Sequence, residues 1–363
     1  MKRMSSISDS PDNRNKDISQ TSELSVHLLQ PEDVQKWDEF VLSCPDATFF
    51  HHAGWQRVIN QALGHKTYFL YVTLKGKIQG VLPLAEINSY LFGHSLSSLP
   101  FCVYGGIAAT SEQARRALDQ AAQTLASQLG VDYLEYRNLR ARHQDWPTKD
   151  LYVTFRKEIL SETELNMQAI PRKQRAMVRK GIKAGLQSTI DQDTERFFTA
   201  YSASVHRLGT PVFSRKYFRA LKLVFPDDCE LLTITKDGHT ISSVMSFYFR
   251  DEVLPYYGGG TSEARNLAGN DFMYWELMRR ACERGYKIFD FGRSKRDTGS
   301  FDFKKNWGFE PQQLHYEYQL HQSKKIPDHN PLNPKYQIFI KTWQKLPLAV
   351  ANLIGPHIVR SLG

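Results

Sequence analysis

The sequence has few cysteines and none at the spacing of a metal or redox motif. The 363 residues contain four, Cys44, Cys102, Cys229 and Cys282, which lie far apart and form no C-x-x-C pair. This spacing argues against zinc ribbons, iron–sulfur clusters and a disulfide framework. His51 and His52 lack further ligands at fitting spacing, so a packing role is predicted for them and no metal site is expected.

Long uncharged apolar runs are also missing. No run reaches the length of a membrane span, and the N-terminus has no apolar segment of the signal-peptide kind. A cytoplasmic protein is therefore expected, possessing a polar, disordered tail over residues 1–22. The hydrophobic fraction of 41% is enough for two cores, and the length favours two domains over one.

Acidic residues are outnumbered by basic ones. There are 38 Asp and Glu against 47 Lys and Arg, which leaves a formal net charge of +9. This excess favours anionic partners such as phosphates, nucleic acid or an acidic lipid surface, and does not choose among them.

An internal repeat organises most of the chain. The first copy predicts strands over 68–74 and 78–85, the turn Tyr104-Gly105-Gly106, a helix over 111–129 and a strand over 133–136. The second copy predicts strands over 230–235, 240–249 and 253–257, the turn Gly258-Gly259-Gly260, a helix over 271–283 and a strand over 287–291. Gly130 and Gly285 follow the two helices, where a left-handed C-terminal residue is common.

This order of elements is that of the acetyltransferase-like (GNAT-like) module. The predicted fold class is α/β (α+β), with two tandem GNAT-like modules, each a mixed sheet flanked by helices. The predicted divisions are a tail over 1–22, a first module over 23–165, a basic segment over 166–190, a second module over 191–322 carrying the catalytic residues, and a linker with an amphipathic tail over 323–363.

The segment between the modules has many cations and no acid. Six basic residues occupy it, namely Arg172, Lys173, Arg175, Arg179, Lys180 and Lys183, and no acid lies between Glu164 and Asp191. At helical spacing Arg172, Arg175 and Arg179 share a face, with Ile170, Met177 and Val178 able to pack behind them. The pattern favours phosphate binding about as much as a solvated helix face.

The end of the second module carries the most specific motif. Asp290-Phe291-Gly292-Arg293-Ser294 is followed, after a glycine turn, by Phe303-Lys304-Lys305-Asn306-Trp307-Gly308. These motifs resemble the D-F-G and F-K-x-x-(F/W)-G signatures of the Fem family of non-ribosomal aminoacyl transferases. Residues 47–55, the basic segment and Tyr274-Trp275-Glu276 with Gly285 extend the resemblance over about residues 24–319. It is closer to the FemAB-like branch associated with exosortase and exopolysaccharide loci, whose domain is described as a BioF2-like acetyltransferase domain.

The resemblance implies a role for one lysine. In this family the lysine of the F-K motif is thought to stabilise the oxyanion formed when an amine attacks the donor ester, and it falls on Lys304, with Lys305 as the neighbour. Such aminolysis needs a cation at the oxyanion and no side-chain nucleophile. The lack of a convincing Ser-His-Asp or Cys-His set is therefore expected.

Further substrate-binding candidates lie near the second glycine turn and the strand end. Arg293, with Ser294, follows a strand end and is predicted to bind a phosphate or carboxylate, a salt bridge to Asp302 or Glu310 being the alternative. Asp290 is expected to cap the loop. Tyr257 precedes the predicted glycine turn, and the chain then runs through Arg265 and Gly269-Asn270 into a helix N-terminus, where an acyl-CoA enzyme would have R-x-x-G-x-G/A. This chain has R-N-L-A-G-N there, which weakens a coenzyme A site, and the first copy lacks a comparable arginine.

These observations predict an enzyme that forms an amide. The resemblance implies that the acceptor is a cell-envelope precursor, either peptidoglycan or exopolysaccharide, linked to a nucleotide or lipid. The resemblance implies an aminoacyl-tRNA donor, and no tightly bound cofactor is expected. One alternative is an acyl-CoA-dependent N-acyltransferase of an amino sugar or polysaccharide precursor. Another is a non-catalytic binding protein for envelope assembly.

The C-terminal tail admits two interpretations. Tyr336, Phe339, Ile340, Trp343, Leu346, Val350 and Ile354 recur at roughly helical spacing with basic residues among them. Docking on the second module is favoured over peripheral contact with the inner face of the membrane. Pro347 and Pro356 exclude one long regular helix.

Overall fold

The structure is a computed structural model that describes residues 24–90, 92–326 and 334–362. The predicted N-terminal tail over residues 1–22 lies outside the described residues, as do residues 327–333 of the predicted C-terminal linker.

The described residues form strands and helices in an order that repeats. The strands are β1 (Ser25–Leu28), β2 (Lys66–Leu74), β3 (Lys77–Ser89), β4 (Gly93–Ser98), β5 (Ala108–Ala109), β6 (Tyr133–Asn138), β7 (Thr148–Lys149), β8 (Tyr152–Glu158), β9 (Gln187–Asp191), β10 (Cys229–Lys236), β11 (His239–Phe249), β12 (Glu252–Gly260), β13 (Ile288–Asp290), β14 (Ser294–Lys295), β15 (Pro311–Gln313) and β16 (His315–Leu320). The helices are α1 (Val34–Ser43), α2 (Gly54–Val58), α3 (Glu112–Leu129), α4 (Thr163–Ala169), α5 (Arg172–Lys183), α6 (Glu195–Arg207), α7 (Arg215–Val224), α8 (Ala264–Leu267), α9 (Gly269–Glu283), α10 (Gly299–Asn306), α11 (Pro334–Lys345) and α12 (Leu348–Val359).

Two mixed sheets result, and each contains one parallel pair. The first sheet has the order β1-β2-β3-β4-β6-β16-β7, with β5 on β3, and the second has β14-β8-β13-β12-β11-β10-β9, with β15 on β8. The parallel pairs are β4 with β6 and β12 with β13. The predicted fold class, two tandem mixed-sheet modules flanked by helices, is confirmed.

The two sheets exchange a strand. β8, which precedes the second copy in sequence, pairs antiparallel with β13 in the second sheet. β16, which ends the second copy, pairs antiparallel with β6 in the first sheet, matching His315 with Asn138. Each sheet therefore combines strands from both sides of the division predicted near residue 165.

The local elements of the repeat form where the sequence predicts them. Each hairpin turns on two residues with positive φ, Lys75-Gly76 in the first copy and Asp237-Gly238 in the second, the geometry of a two-residue hairpin turn. Helix α3 starts at Ser111, whose Oγ accepts a hydrogen bond from the Ala114 N–H at 3.2 Å. It ends at Gly130 with a φ of 63°.

One apolar core spans both modules. Phe49 of the first module stacks on Phe247 of β11 with 4.5 Å between ring centroids, and it also contacts Phe225, which follows α7. Trp55 is fully buried in the same cluster. Because aromatic contacts of this size dominate core energetics, the two modules are packed as one body.

The C-terminal helices dock on the second module, the interpretation that the sequence favours. Trp343 is buried, its carbonyl accepts a hydrogen bond from His206 at the end of α6, and Gln344 donates to the Arg207 carbonyl at 2.7 Å. Pro347 separates α11 from α12. Across the described part of the chain, no helix is long and apolar enough to cross a membrane.

Candidate active site

The loop after β13 lies where two parallel strands diverge. Strand β12 pairs with β13 at only two positions, Glu252 with Ile288 and Val253 with Phe289. Beyond them β12 continues to Gly260, while the other strand turns away after Asp290. Ligand sites in α/β sheets commonly lie at carboxyl ends of strands, and the D-F-G-R motif occupies this end.

Asp290 holds the shape of this loop. Its buried carboxylate accepts hydrogen bonds from the Gly292 N–H at 2.7 Å, the Tyr104 hydroxyl at 2.9 Å and the Thr154 hydroxyl at 3.2 Å. Arg156 lies 3.4 Å from the same carboxylate. The expectation that Asp290 caps the loop agrees with these contacts, and they leave it no evident part as a base.

Lys304 binds the loop through its carbonyl groups. This lysine lies on α10, and its Nζ donates to the carbonyl oxygens of Phe291, Gly292 and Arg293 at 2.7, 3.0 and 3.1 Å. Burial lowers the pKa of Lys304 to about 7, although the nearby Asp290 opposes that shift. With all three protons directed at carbonyls, the ammonium can reach an oxyanion only by exchanging one of these bonds.

Arg293 extends from the same loop toward aromatic rings. Its guanidinium carbon lies 4.7 Å from the centroid of the Tyr152 ring, and it donates to the Tyr316 hydroxyl at 3.1 Å. No ion pair of Arg293 is found in the described part of the chain, so the alternative of a bridge to Asp302 or Glu310 does not occur in this structure. The guanidinium therefore retains donors for a phosphate or carboxylate.

Three other predicted site residues have surroundings that differ from those of Lys304 and Arg293. Lys305 is exposed, with its Nζ 5.7 Å from the Phe301 ring centroid. Tyr257 is buried among aromatic rings and its hydroxyl faces that of Tyr217 at 2.9 Å. Ser294 is buried in β14 and its Oγ has no hydrogen-bond partner. Direct roles for these three remain predictions, and the geometry gives Lys304 and Arg293 more support.

The turn predicted at Gly258-Gly259-Gly260 is wrong, because these residues extend strand β12 and pair with residues 242–244 of β11. The space beside the three glycines is filled by protein. A Cβ added at Gly258 would lie 2.7 Å from the Tyr274 hydroxyl, one at Gly259 would lie 2.7 Å from the Ser204 Cβ, and one at Gly260 would lie 2.5 Å from the Ala264 Cβ. These glycines therefore let helices pack closely on β12. Arg265 is exposed on α8 and has no ion-pair partner in the described residues.

The basic segment forms a helix, as predicted. Helix α5 begins after Pro171, and Ile170 and Val178 are buried behind it, whereas Met177 is only half-buried. Its inner side packs on α9, where Gln174 donates to Asp271 at 3.0 Å. In the described residues, its six cations form no ion pair, and Arg175 contacts only the Gln168 carbonyl at 3.0 Å.

A pocket between the modules was not predicted. It has a volume of about 190 Å³ and is bordered by the backbone of Gly105 and Gly106. Five arginines and two acids line it, namely Arg137, Arg140, Arg142, Arg156 and Arg250 with Asp46 and Glu252. These residues are scattered from position 46 to 252, so no local run of charge signals them.

The pocket arginines differ in how far they are engaged. Arg137 is buried, pairs with Glu135 at 3.1 Å and leaves its Nε without a hydrogen bond. Arg142 lies 3.6 Å from Asp46, whereas Arg140 is exposed and has no polar partner among the described residues. The lining carries three more positive than negative charges (five minus two) and suits an anion.

His51 borders this pocket as a neutral, fully bonded ring. Its Nδ1 accepts from the Thr48 N–H at 3.0 Å, so Nε2 donates to the Gly106 carbonyl at 2.7 Å. Burial lowers the pKa of His51 to about 4. The predicted packing role is confirmed by these contacts, and no group of three or more potential metal ligands occurs in the described part of the chain.

Comparison with known proteins agrees with this architecture. Residues 172–305 match the family model of the acetyltransferase (GNAT) domain. The chain has a tandem GNAT fold. The confirmed similarity to Fem-type proteins is a similarity of fold, and a search of curated proteins finds no match.

Three solved structures illustrate the tandem fold. FemX is 15% identical, with a TM-score of 0.65 over 87% of this chain and 100% of that chain. The C-terminal domain of a putative lysylphosphatidylglycerol synthetase from Agrobacterium fabrum is 12% identical, with a TM-score of 0.57 over 80% of this chain and 92% of that one. A tandem GNAT protein from the clavulanic acid pathway is also 12% identical, with a TM-score of 0.53 over 84% of this chain and 100% of that chain.

Proposed function

We propose that the enzyme forms an amide by transferring an acyl group from an ester or thioester donor to an amine. The observation that carries the proposal is the loop after β13, where Lys304 and Arg293 bring two cations together and neither has a carboxylate ion pair in the described residues. A site for a developing oxyanion needs a positive group held in place, and the Lys304 ammonium supports this proposal because it could bind the oxyanion after exchanging one loop carbonyl.

The proposed reaction uses Lys304 at the oxyanion. The amine nitrogen bonds to the acyl carbon, and Lys304 exchanges one loop carbonyl for the new oxyanion. Collapse breaks the bond to the donor oxygen or sulfur, and the proton lost by the amine passes to that leaving group. Because the pKa of Lys304 is lowered to about 7, its ammonium and amine forms coexist near neutral pH and can carry this proton.

An aminoacyl-tRNA is the proposed donor. Its support is α5, whose cations have no acidic partner in the described residues and suit a phosphate backbone. The R-N-L-A-G-N sequence over 265–270 adds to this, because it departs from the R-x-x-G-x-G/A loop that holds the pyrophosphate of coenzyme A. The proposed acceptor is an amine-bearing envelope precursor whose phosphate group binds in the arginine pocket.

An acyl-CoA donor is the second candidate. The GNAT domain match favours it, and α9 directs a helix N-terminus toward the region just beyond β12. Turnover of one amine acceptor with charged tRNA and with acyl-CoA, read as the mass of the amide product, separates the donors. Product from acyl-CoA alone would overturn the tRNA proposal, and no product from either would favour the non-catalytic binding protein.

A salt series tests α5 itself. Replacing Arg172, Arg175 and Arg179 by Gln should weaken tRNA binding and flatten the plot of log affinity against log salt by about 2 to 3, the contribution of three charges. Arg57→Gln, an exposed arginine on α2, is the control. If the triple variant has the same slope of log affinity against log salt as the wild type, α5 is a solvated surface helix that does not bind tRNA.

A further inference from the structure

Helix α12 is apolar on its outer face as well as on its inner one. It contains no charged residue from Leu348 to Val359. Its inner side chains Ala351 and Val359 are buried, and Gly355 lies against the backbone of Val212. Yet Leu353 on the opposite side remains 72% exposed. A helix that is apolar all round is ordinarily covered on every side.

Helix α11 meets α12 where Trp343 lies beside Gly355, and it also exposes apolar side chains and adds positive charge. Its inner residue Trp343 is buried, while Ile338 is 70% exposed and Phe339 is partly exposed. Lys341 and Lys345 follow Ile338 by three and seven residues, which places them on the same helix face. The exposed apolar side chains of both helices are Ile338, Phe339, Leu348, Val350, Leu353 and Ile354, and we call them the tail surface.

The charge of the tail selects the kind of partner. Residues 334–362 include Lys335, Lys341, Lys345 and Arg360 but no Asp or Glu. A second copy docking on the tail surface by a two-fold axis would bring these cations together without a tail acid to offset them. An anionic lipid surface instead offers both an apolar layer and negative charge.

We propose that the tail surface lies in the interface of an anionic membrane while the opposite sides of α11 and α12 stay docked on α6. Contact of this kind is peripheral, because the apolar side chains reach the acyl boundary and the lysines remain at the headgroups. The proposal concerns binding alone, so it stands or falls separately from the donor and acceptor of the reaction.

Vesicle flotation of the full chain tests this directly. With vesicles of equal phosphatidylglycerol and phosphatidylcholine, the protein should float at 50 mM salt and bind at least about tenfold less at 500 mM salt or on pure phosphatidylcholine. The double variant Ile338→Gln with Leu353→Gln should lose at least about tenfold in binding, the scale of two apolar side chains. Leu223→Gln is the matched control, because Leu223 is 74% exposed on α7 outside the tail.

The alternatives give distinct results. Since the replaced side chains are exposed, thermal melting should be the same for the double variant and the wild type, which separates loss of binding from loss of folding. No flotation of the wild type, or equal flotation of the double variant, would overturn the proposal. A dimer in light scattering that the double variant abolishes would assign the tail surface to a second copy and would also overturn it.

Discussion

The two copies of the module differ at the segments where the sequence predicts a glycine turn: Gly105-Gly106 lies in a loop, whereas Gly258-Gly259-Gly260 ends strand β12. In the second copy, Gly258-Gly259-Gly260 precedes an arginine and is the better match to a phosphate-binding turn, yet α6, α8 and α9 cover it. In the first copy, Gly105-Gly106 has no such arginine, yet it borders the arginine pocket. The comparison teaches that a run of glycines indicates that another group can approach the backbone closely. Only the surrounding packing shows whether that group belongs to the protein or to a ligand.

In the proposed reaction, the copies also divide the chemistry between them. The second provides the loop with Lys304 and Arg293, and the first provides most of the pocket through Gly105, Gly106 and Arg137. Tyr104 joins the two, because it lines the pocket and donates to Asp290 of the loop. Substitutions in either copy should therefore affect different steps, and the following experiments test this division.

The largest expected effect belongs to the loop of the second copy. Lys304→Ala should reduce kcat by about a hundredfold or more, the scale of losing one oxyanion donor. Lys305→Ala is the control, since Lys305 is exposed beside Phe301. Steady-state turnover with saturating substrates gives the answer. Loss of activity in Lys305→Ala with retention in Lys304→Ala would shift the assignment by one residue.

The second largest effect is expected at the glycines that end β12, where neighbouring helices pack closely. Gly259→Ala places a Cβ 2.7 Å from Ser204 and 3.0 Å from the Tyr201 Cα, so it should lower the free energy of unfolding by about 2 kcal/mol. Gly299→Ala, where nothing lies within 4 Å, should leave stability unchanged. Denaturant melts compare the two. If Gly259→Ala were as stable as wild type and lost only donor binding, this segment would be a ligand site.

A more moderate effect is expected in the pocket. Replacing Arg140 and Arg142 by Gln should raise KM for the acceptor at least about tenfold with little change in kcat, because even one charge-assisted hydrogen bond to an anion contributes about 1.5–3 kcal/mol. Arg57→Gln again serves as the control, being an exposed arginine outside the pocket. If kcat fell by the same factor and KM did not change, the acceptor would not bind in the arginine pocket.

The smallest effect concerns the histidine that borders the pocket. The pKa of His51 is lowered by burial from 6.5 to about 4, so the unfolded chain binds its proton first as the pH falls. Stability is therefore lost between these values, by about 1 kcal/mol from pH 7 to 5.5. His51→Gln should remove that part of the slope in denaturant melts, whereas exposed His239→Gln should retain it. If stability depended on pH equally in the wild type and in both variants, His51 would not be the source of this pH dependence.

The sequence predicts local elements well because their signals are local. Ser111 and Gly130 bound α3 as expected, and Lys75-Gly76 turns the first hairpin. The cations of α5 were equally evident, since they fall within twelve consecutive residues. The role of Asp290 as a loop cap also follows from its position at a strand end.

The strand exchange and the arginine pocket cannot be predicted from the sequence, because both depend on contacts between distant residues. The alternation in β8 and β16 indicates strands but does not say which sheet will supply their hydrogen-bond partners. The pocket likewise joins Arg140 to Arg250, which lie over a hundred residues apart. The sequence pattern also does not predict helices α6 and α7, and α6 is one of the elements that cover the glycines at the end of β12.

The strand exchange sets the order in which this protein can mature on the ribosome. The first sheet has most of its strands once Lys149 has been made, but β16, which lies between β6 and β7, ends at Leu320. At about 5–20 residues per second the edge of β6 remains unpaired for roughly ten to thirty seconds of synthesis. An exposed strand edge can pair with neighbouring chains, so the nascent chain needs protection during this interval, which a self-contained first module would not require.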